Sequence, residues 1–170
     1  MDGDEVLIRR EQPDDEGTIR VVNEAAFGRS DEADLVDHLR HEGAVLASFV
    51  AEQERSIVGH ILFSRTLIDA ANEPVLSVAL APLAVLPVNQ HRGVGSQLTR
   101  FGLDWLRTRG ERSVLVVGHP QYYSRFGFST ARSCLLSTPF PAEAFMALEL
   151  VPGALDGIRG AVRYPAAFGL

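Results

Sequence analysis

The sequence predicts a mixed α/β fold of the α+β kind, a mostly antiparallel central sheet flanked by helices and carrying one parallel strand pair. Three observations predict it. Two helical stretches sit together between the first and second strands, which makes a flap rather than a crossover. Three strand-period segments then follow one another with only short polar turns between them, the pattern of an antiparallel meander. The third runs through a glycine-bearing turn into a helix, and the β-branched run beyond that helix returns parallel to it by a right-handed crossover.

Taken in order, Val6–Arg10 alternates apolar and charged residues and opens as a strand. Pro13-Asp14-Asp15-Glu16 places acids in a first helical turn, where they match the dipole, and Ile19, Val22 and Ala26 keep helical spacing up to Phe27-Gly28. Ser30 is an N-cap for a second helix. Asp31, Glu32 and Asp34 fill its first turn, Leu35, Val36 and Leu39 form its buried stripe, and Gly43 closes it. From Ala44 the period is that of strands. Val45–Ala51 meets the polar turn Glu52-Gln53-Glu54-Arg55, Ile57–Ile68 returns with Gly59 inside it, and Asn72-Glu73-Pro74 turns the chain into Val75–Leu86. A helix starts near Ser96 with Leu98, Phe101, Trp105 and Leu106 at helical spacing, and ends at Gly110. Ser113–Gly118 then suits a strand buried on both faces. Ser133–Ser137 and Phe145–Leu150 are further strand candidates in a proline-punctuated C-terminal third.

The turn Asn89-Gln90-His91-Arg92-Gly93-Val94-Gly95 carries the first chemical signal. The first N–H groups of a helix lack internal acceptors, and the macrodipole adds partial positive charge there. Gly93 and Gly95 lack Cβ atoms, so a phosphate can approach the backbone closely. The glycines are too few and wrongly ordered for a dinucleotide fingerprint, and no Gly-Lys-Ser/Thr follows as a P-loop would require.

Whole-chain properties narrow the function. A length of 170 residues predicts a single domain, 1–170, with a core that needs neither disulfides nor a structural metal. One cysteine, Cys134, excludes an internal disulfide and a cysteine-rich zinc site, and no metal-ligand spacing is present. A net charge of −6 without a compensating basic block argues against nucleic acid as the main partner. The acidic Met-Asp-Gly-Asp-Glu start is unlike a signal peptide, and no apolar run approaches the ~20 residues needed to cross a bilayer. The expected compartment is therefore the cytoplasm, without membrane partners; a homodimer stays open.

The form Gln90-x-x-Gly93-x-Gly95 resembles the acyl-CoA pyrophosphate loop of the GNAT N-acetyltransferase superfamily. One helix and one strand later comes Tyr123-x-x-x-Gly127-Phe128, which is similar to that family's second motif. The segments PLAVLPVNQHRGVGSQL and GHPQYYSRFGF and the tail LELVPGALDGIRGAVRYPAAF look like its YhbS-like branch, a match over essentially the whole chain. The resemblance implies a GNAT fold in which strands 75–86 and 113–118 splay apart around acetyl-CoA, and no metal. It implies pyrophosphate on the loop residues Gln90, His91, Arg92, Gly93, Val94, Gly95 and Ser96. The pantetheine arm would pair with the main chain of Leu83, Ala84 and Val85 like an added strand.

The implied reaction is acetyl transfer from acetyl-CoA to a primary amine, on a small molecule or a peptide, by direct attack in a ternary complex. An amine with pKa near 10.4 is neutral in roughly one molecule in 2,500 at pH 7, a cost of about 4–5 kcal/mol. The leaving thiol, with a pKa of about 8.5, needs less help. Tyr123 suits the general acid, the alternative being a ring packed in the core with its hydroxyl on a backbone group. Tyr122 reads as packing or substrate wall, and Ser124 as a nearby hydroxyl or a plain helix turn. For the base, Val75–Leu86 contains no carboxylate. His119 is the titratable candidate, beside a surface reading of the same residue; Glu24 and Glu32 on the flap helices and a water relay stay open. His60, on a strand, reads as a satisfied core histidine. Cys134 has no Cys-His-Asn arrangement around it, against a covalent route. The competing functions are a non-catalytic acyl-CoA sensor and a nucleotide-binding module.

Overall fold

The computed structural model describes residues 5–170. Their backbone falls into two compact units, one running up to Phe63 and including Ala81–Gly102, the other formed by Ser64–Leu80 and Leu103–Leu170.

The first unit opens with β1 (Leu7–Arg10), antiparallel to β2 (Val45–Gln53) in the register Leu7↔Glu52 to Arg10↔Phe49. Between them lie α1 (Glu16–Phe27) and α2 (Asp31–His41), the expected helical pair. Arg9 grips both oxygens of Asp15 at 2.7 and 3.1 Å, and the Gln12 N–H donates to the same carboxylate at 2.7 Å. That fixes the turn leading into α1 and holds the Asp15 carboxyl below its ordinary range. The helix buries Ile19, Val22 and Asn23 and stops at Gly28 in the left-handed region. Ser30 does stand at the head of α2, but its hydroxyl donates to Asp34 at 2.9 Å instead of accepting a backbone N–H. The buried stripe of α2 is Ala33, Val36 and Leu39, with Leu35 only half-buried, because the stripe rotates toward the smaller alanine.

β3 (Ser56–Ala70) and β4 (Val75–Val85) each begin in one unit and end in the other, as does α3 (Val94–Thr108). Gly59 on β3 is needed for packing: a Cβ there would lie 2.9 Å from Leu98 Cδ1 and 3.3 Å from the Ala84 carbonyl oxygen. α3 starts at Val94, earlier than expected, and buries Val94, Leu98, Leu103 and Leu106. Phe101 is 40% exposed on the flank of that stripe, its ring edge-on to Phe49 at 5.1 Å.

In the second unit β5 (Ser113–Val117) runs parallel to β4 from Val78↔Val114 to Leu80↔Val116, which is the expected parallel pair. β7 (Phe145–Glu149) is antiparallel to β5. Ser133–Ser137 is not one strand. Thr130–Ser133 forms a short helix whose Arg132 N–H is capped by the Ser129 hydroxyl at 3.2 Å, and only Leu136–Ser137 (β6) pairs. A strand the sequence pattern hides, β8 (Gly160–Arg163), pairs antiparallel with β3 and parallel with β6. Ile68, Leu115, Phe145, Ala147, Leu155 and Val162 make the core of this unit. Among the described residues the sheet order is β1-β2-β3-β4-β5-β7, with β8 joined to β3 and β6.

Candidate functional site

In the first unit β4 ends at Val85, and the Leu86 N–H donates to the Val58 carbonyl at 2.9 Å. The register with β5 stops at Leu80, so β4 runs on through Leu83, Ala84 and Val85 past its last paired residue there. Ala84 is core, whereas Leu83 and Val85 are half-buried. Pro87–Asn89 makes one 3-10 turn, anchored by the Asn89 amide donating to Gln53 Oε1 at 3.1 Å. The Gln90 side chain turns back and donates to the Val85 carbonyl at 2.9 Å, bracing the end of the strand.

The chain then bends tightly. His91 has φ +62° and Gly93 φ +85°, two left-handed residues within three. The helix ladder begins where the Gln97 N–H donates to the Gly93 carbonyl at 3.0 Å, so the N–H groups of Val94 and Gly95 come before it. Gly95 lies inside the first helical turn, its carbonyl accepting from the Thr99 hydroxyl at 2.8 Å. Of the two loop glycines, Gly93 makes the turn. His91 and Arg92 are exposed, while Val94 and Ser96 are buried. The loop therefore joins a helix N-terminus to one exposed guanidinium and one exposed imidazole, suited to an anion.

In the second unit β5 gives way to Gly118, whose N–H donates to the Ala144 carbonyl at 3.0 Å. His119 heads the short helix α4 (Pro120–Tyr123); its carbonyl accepts from the N–H groups of Tyr122 and Tyr123 at 3.0 and 3.1 Å, and its side chain is exposed. The Tyr123 ring is set edge-to-face against Tyr122 at 4.9 Å and Phe128 at 5.7 Å. Phe128 is brought beneath it by Gly127 in the left-handed region. Burial pushes the Tyr123 phenol well above its ordinary value, and the neighbouring Tyr122 adds to the shift. Its hydroxyl makes no hydrogen bond to another described residue. Tyr122 carries Arg125 over its ring at 4.6 Å, and Ser124 is exposed, its hydroxyl 3.5 Å from the Gln121 carbonyl as in a plain helix turn.

The other sequence candidates have partners of their own. Glu24 pairs with Arg20 at 2.9 Å. Glu32 pairs with Arg29, which holds its carboxyl below the ordinary range. His60 is fully buried, with Nδ1 3.1 Å from Asn23 Nδ2 and Nε2 2.8 Å from the Ser48 hydroxyl. Burial, and then the charge of Arg40, push its pKa down to about 3. Cys134 is exposed. Among the described residues no group of histidine, cysteine and carboxylate side chains could hold a metal ion, and no helix is long and apolar enough to cross a membrane. Sequence reasoning missed Gly118, against which the Tyr123 ring packs. The available signal was a glycine closing a strand five residues before the tyrosine.

Residues 46–130 match the acetyltransferase (GNAT) domain family. The chain is 36% identical over 162 residues to YhbS, an uncharacterised N-acetyltransferase of Escherichia coli, covering 94% of this chain and 96% of that protein. The chain belongs to the GNAT acetyltransferase family. Within it, YjhQ, another uncharacterised N-acetyltransferase of Escherichia coli, is 44% identical over 116 residues; that match spans 67% of this chain and 64% of YjhQ. The crystal structure of Escherichia coli YhbS in complex with CoA superposes with a TM-score of 0.89 at 34% identity, covering 97% of this chain and 92% of that one. A GNAT family acetyltransferase from Brucella melitensis in complex with acetyl-CoA gives a TM-score of 0.81 at 37% identity, covering 96% and 98%. The mixed sheet with its parallel β4–β5 pair is thus a GNAT sheet, and the expected fold holds.

Proposed function

We propose that this GNAT chain transfers the acetyl group of acetyl-CoA to a primary amine by direct attack in a ternary complex. The pyrophosphate of CoA is bound at Gln90–Ser96, on the N–H groups opening α3, with His91 and Arg92 as exposed countercharges. The pantetheine arm hydrogen-bonds the main chain of Leu83–Val85, where Gln90 already steadies the Val85 carbonyl. Complexes of two relatives with CoA and acetyl-CoA support this donor.

In the reaction the amine nitrogen bonds the thioester carbon, the carbon–sulfur bond breaks, one amine proton is lost and the sulfur gains one. The products are an amide and free CoA thiol. Tyr123 carries the proposal: its ring is fixed, its hydroxyl is uncommitted among the described residues, and burial keeps it protonated. A phenol raised this far is a weaker acid than a leaving thiol of pKa about 8.5. Tyr123 therefore works by donating a hydrogen bond to the sulfur as its charge develops, and full proton transfer follows later. His119, exposed at the head of α4, takes the proton from the amine, directly or through water. The acceptor is a primary amine of a small molecule or a peptide, and the reaction belongs to the cytoplasm.

Release of free thiol from acetyl-CoA, measured against a panel of amines, tests the proposal. Turnover with at least one primary amine is expected. Tight CoA binding without turnover on any amine would instead identify a non-catalytic acyl-CoA sensor.

A further inference from the structure

Gly118 stands where the fold does not ask for glycine. It is not among the left-handed residues, and its N–H continues the edge of β5 onto Ala144 at 3.0 Å. Any residue could take that backbone conformation. The space is the constraint: a Cβ on Gly118 would lie 2.5 Å from Tyr123 Cε2 and 3.1 Å from Cδ2, where ordinary contacts begin near 3.4 Å. The ring lies flush against the backbone of residue 118, held from its other sides by Tyr122 and Phe128. The His119 carbonyl ties the Tyr123 N–H, so the backbone beneath the ring is fixed as well.

We infer that Gly118 is a positioning residue that sets where the Tyr123 hydroxyl sits, acting through the ring and touching neither substrate nor cofactor. The inference rests on the role given to Tyr123 above. Adding one methyl group forces the ring back by roughly an ångström, a displacement that can cost as much as 100-fold in rate when a catalytic group is misplaced.

The test is a double-mutant cycle on the full chain, read in kcat, in KM for acetyl-CoA and in thermal midpoint. In the Tyr123 background, Gly118→Ala is expected to lower kcat roughly ten- to hundredfold and never below the rate of Tyr123→Phe, with KM for acetyl-CoA within about twofold. In the Tyr123→Phe background, Gly118→Ala is expected to leave kcat unchanged, because the displaced ring no longer carries a hydroxyl. Both backgrounds should lose stability, since Phe keeps the clashing ring atoms. In Tyr123→Ala the ring is gone and Gly118→Ala should cost no stability. An equal loss of kcat in both backgrounds, or no loss in either, overturns the inference. Should Gly118→Ala fail to fold, the double variant with Tyr123→Ala decides: recovery of folding supports the ring clash, and a second failure overturns it. A different result sinks the Tyr123 role itself, namely unchanged kcat in Tyr123→Phe alone, and it does so whatever the stability cycle shows.

Discussion

Two titratable side chains, one in each unit, the first fully buried and the second half-buried, are wired in opposite ways. His60 is fully buried, and both ring nitrogens have partners. The Asn23 amide donates to the Ile19 carbonyl at 3.0 Å and so presents its other N–H to His60 Nδ1, which must accept. Nε2 therefore carries the proton and donates to Ser48, Ser48 donates to Glu11, and Glu11 accepts from Arg40 Nε at 2.8 Å. Tyr123 is half-buried, its ring packed on Tyr122 and Phe128, yet its hydroxyl is bonded to no described residue. Burial shifts both groups strongly toward their neutral forms, so the shift alone does not mark a site. What separates them is whether the polar atom is already used: in His60 it is bonded on both sides, and in Tyr123 it is bonded to no described residue.

The sharpest way to break this contrast is to remove each group. His60→Ala should cost roughly 3 kcal/mol or more, through a cavity and the stranded polar atoms of Ser48 and Asn23. In a domain of this size that lowers the thermal midpoint by roughly 6–12 °C. The rate per folded molecule should stay within about twofold, and a large loss of kcat in the protein that remains folded would assign His60 to the chemistry after all.

The same contrast has a pH signature. Folded His60 stays neutral down to about 3, whereas the unfolded residue binds a proton below its ordinary value of 6.5. Between these values the unfolded state holds the extra proton, so stability is fully present above 6.5 and is lost as pH falls toward 3. Arg9–Asp15 and other carboxylate pairs also respond to acid, so the useful quantity is the difference between wild type and His60→Gln in urea titrations. That difference should shrink by up to about 1.4 kcal/mol per pH unit below 6.5 and be flat above it. A flat difference down to pH 5 would mean that His60 is not held neutral.

These two groups also show how far the sequence could be read. The strand–turn–helix from β4 through Gly93 into α3 was legible because local rules mark it: apolar runs, Pro87, and glycine where the chain must turn. Tyr123 was legible through its spacing to Gly127-Phe128. The His60 network joins residues 11, 23, 48 and 60, brought together only by tertiary packing, so no period or spacing announces it. β8 was hidden because Gly160–Arg163 is short, and Gly160 leaves room for the Asp69 carbonyl, a constraint set by a strand some ninety positions away. The helical turn at Thr130–Ser133 was missed because the Ser129 cap outweighs the short apolar pattern after it.

A smaller effect is expected at Gln90, the donor-side counterpart of a satisfied polar group. Gln90→Ala frees the Val85 carbonyl from a neutral hydrogen bond worth about 1 kcal/mol. KM for acetyl-CoA should rise by roughly two- to tenfold with kcat nearly unchanged, the pattern of lost uniform binding. An unchanged KM would place Gln90 outside donor binding and leave it as a brace for β4 alone.

The central claim is that the Tyr123 hydroxyl is uncommitted because the reaction uses it. Tyr123→Phe removes that one oxygen and keeps the ring, its edge-to-face contacts with Tyr122 and Phe128, and its seat on Gly118. Thiol release from acetyl-CoA, with an amine the wild type accepts, should show kcat down roughly ten- to hundredfold, as expected when the charge developing on the sulfur loses its hydrogen-bond donor. KM for acetyl-CoA and the thermal midpoint should stay where they are. A variant that turns over as fast as wild type would contradict the account.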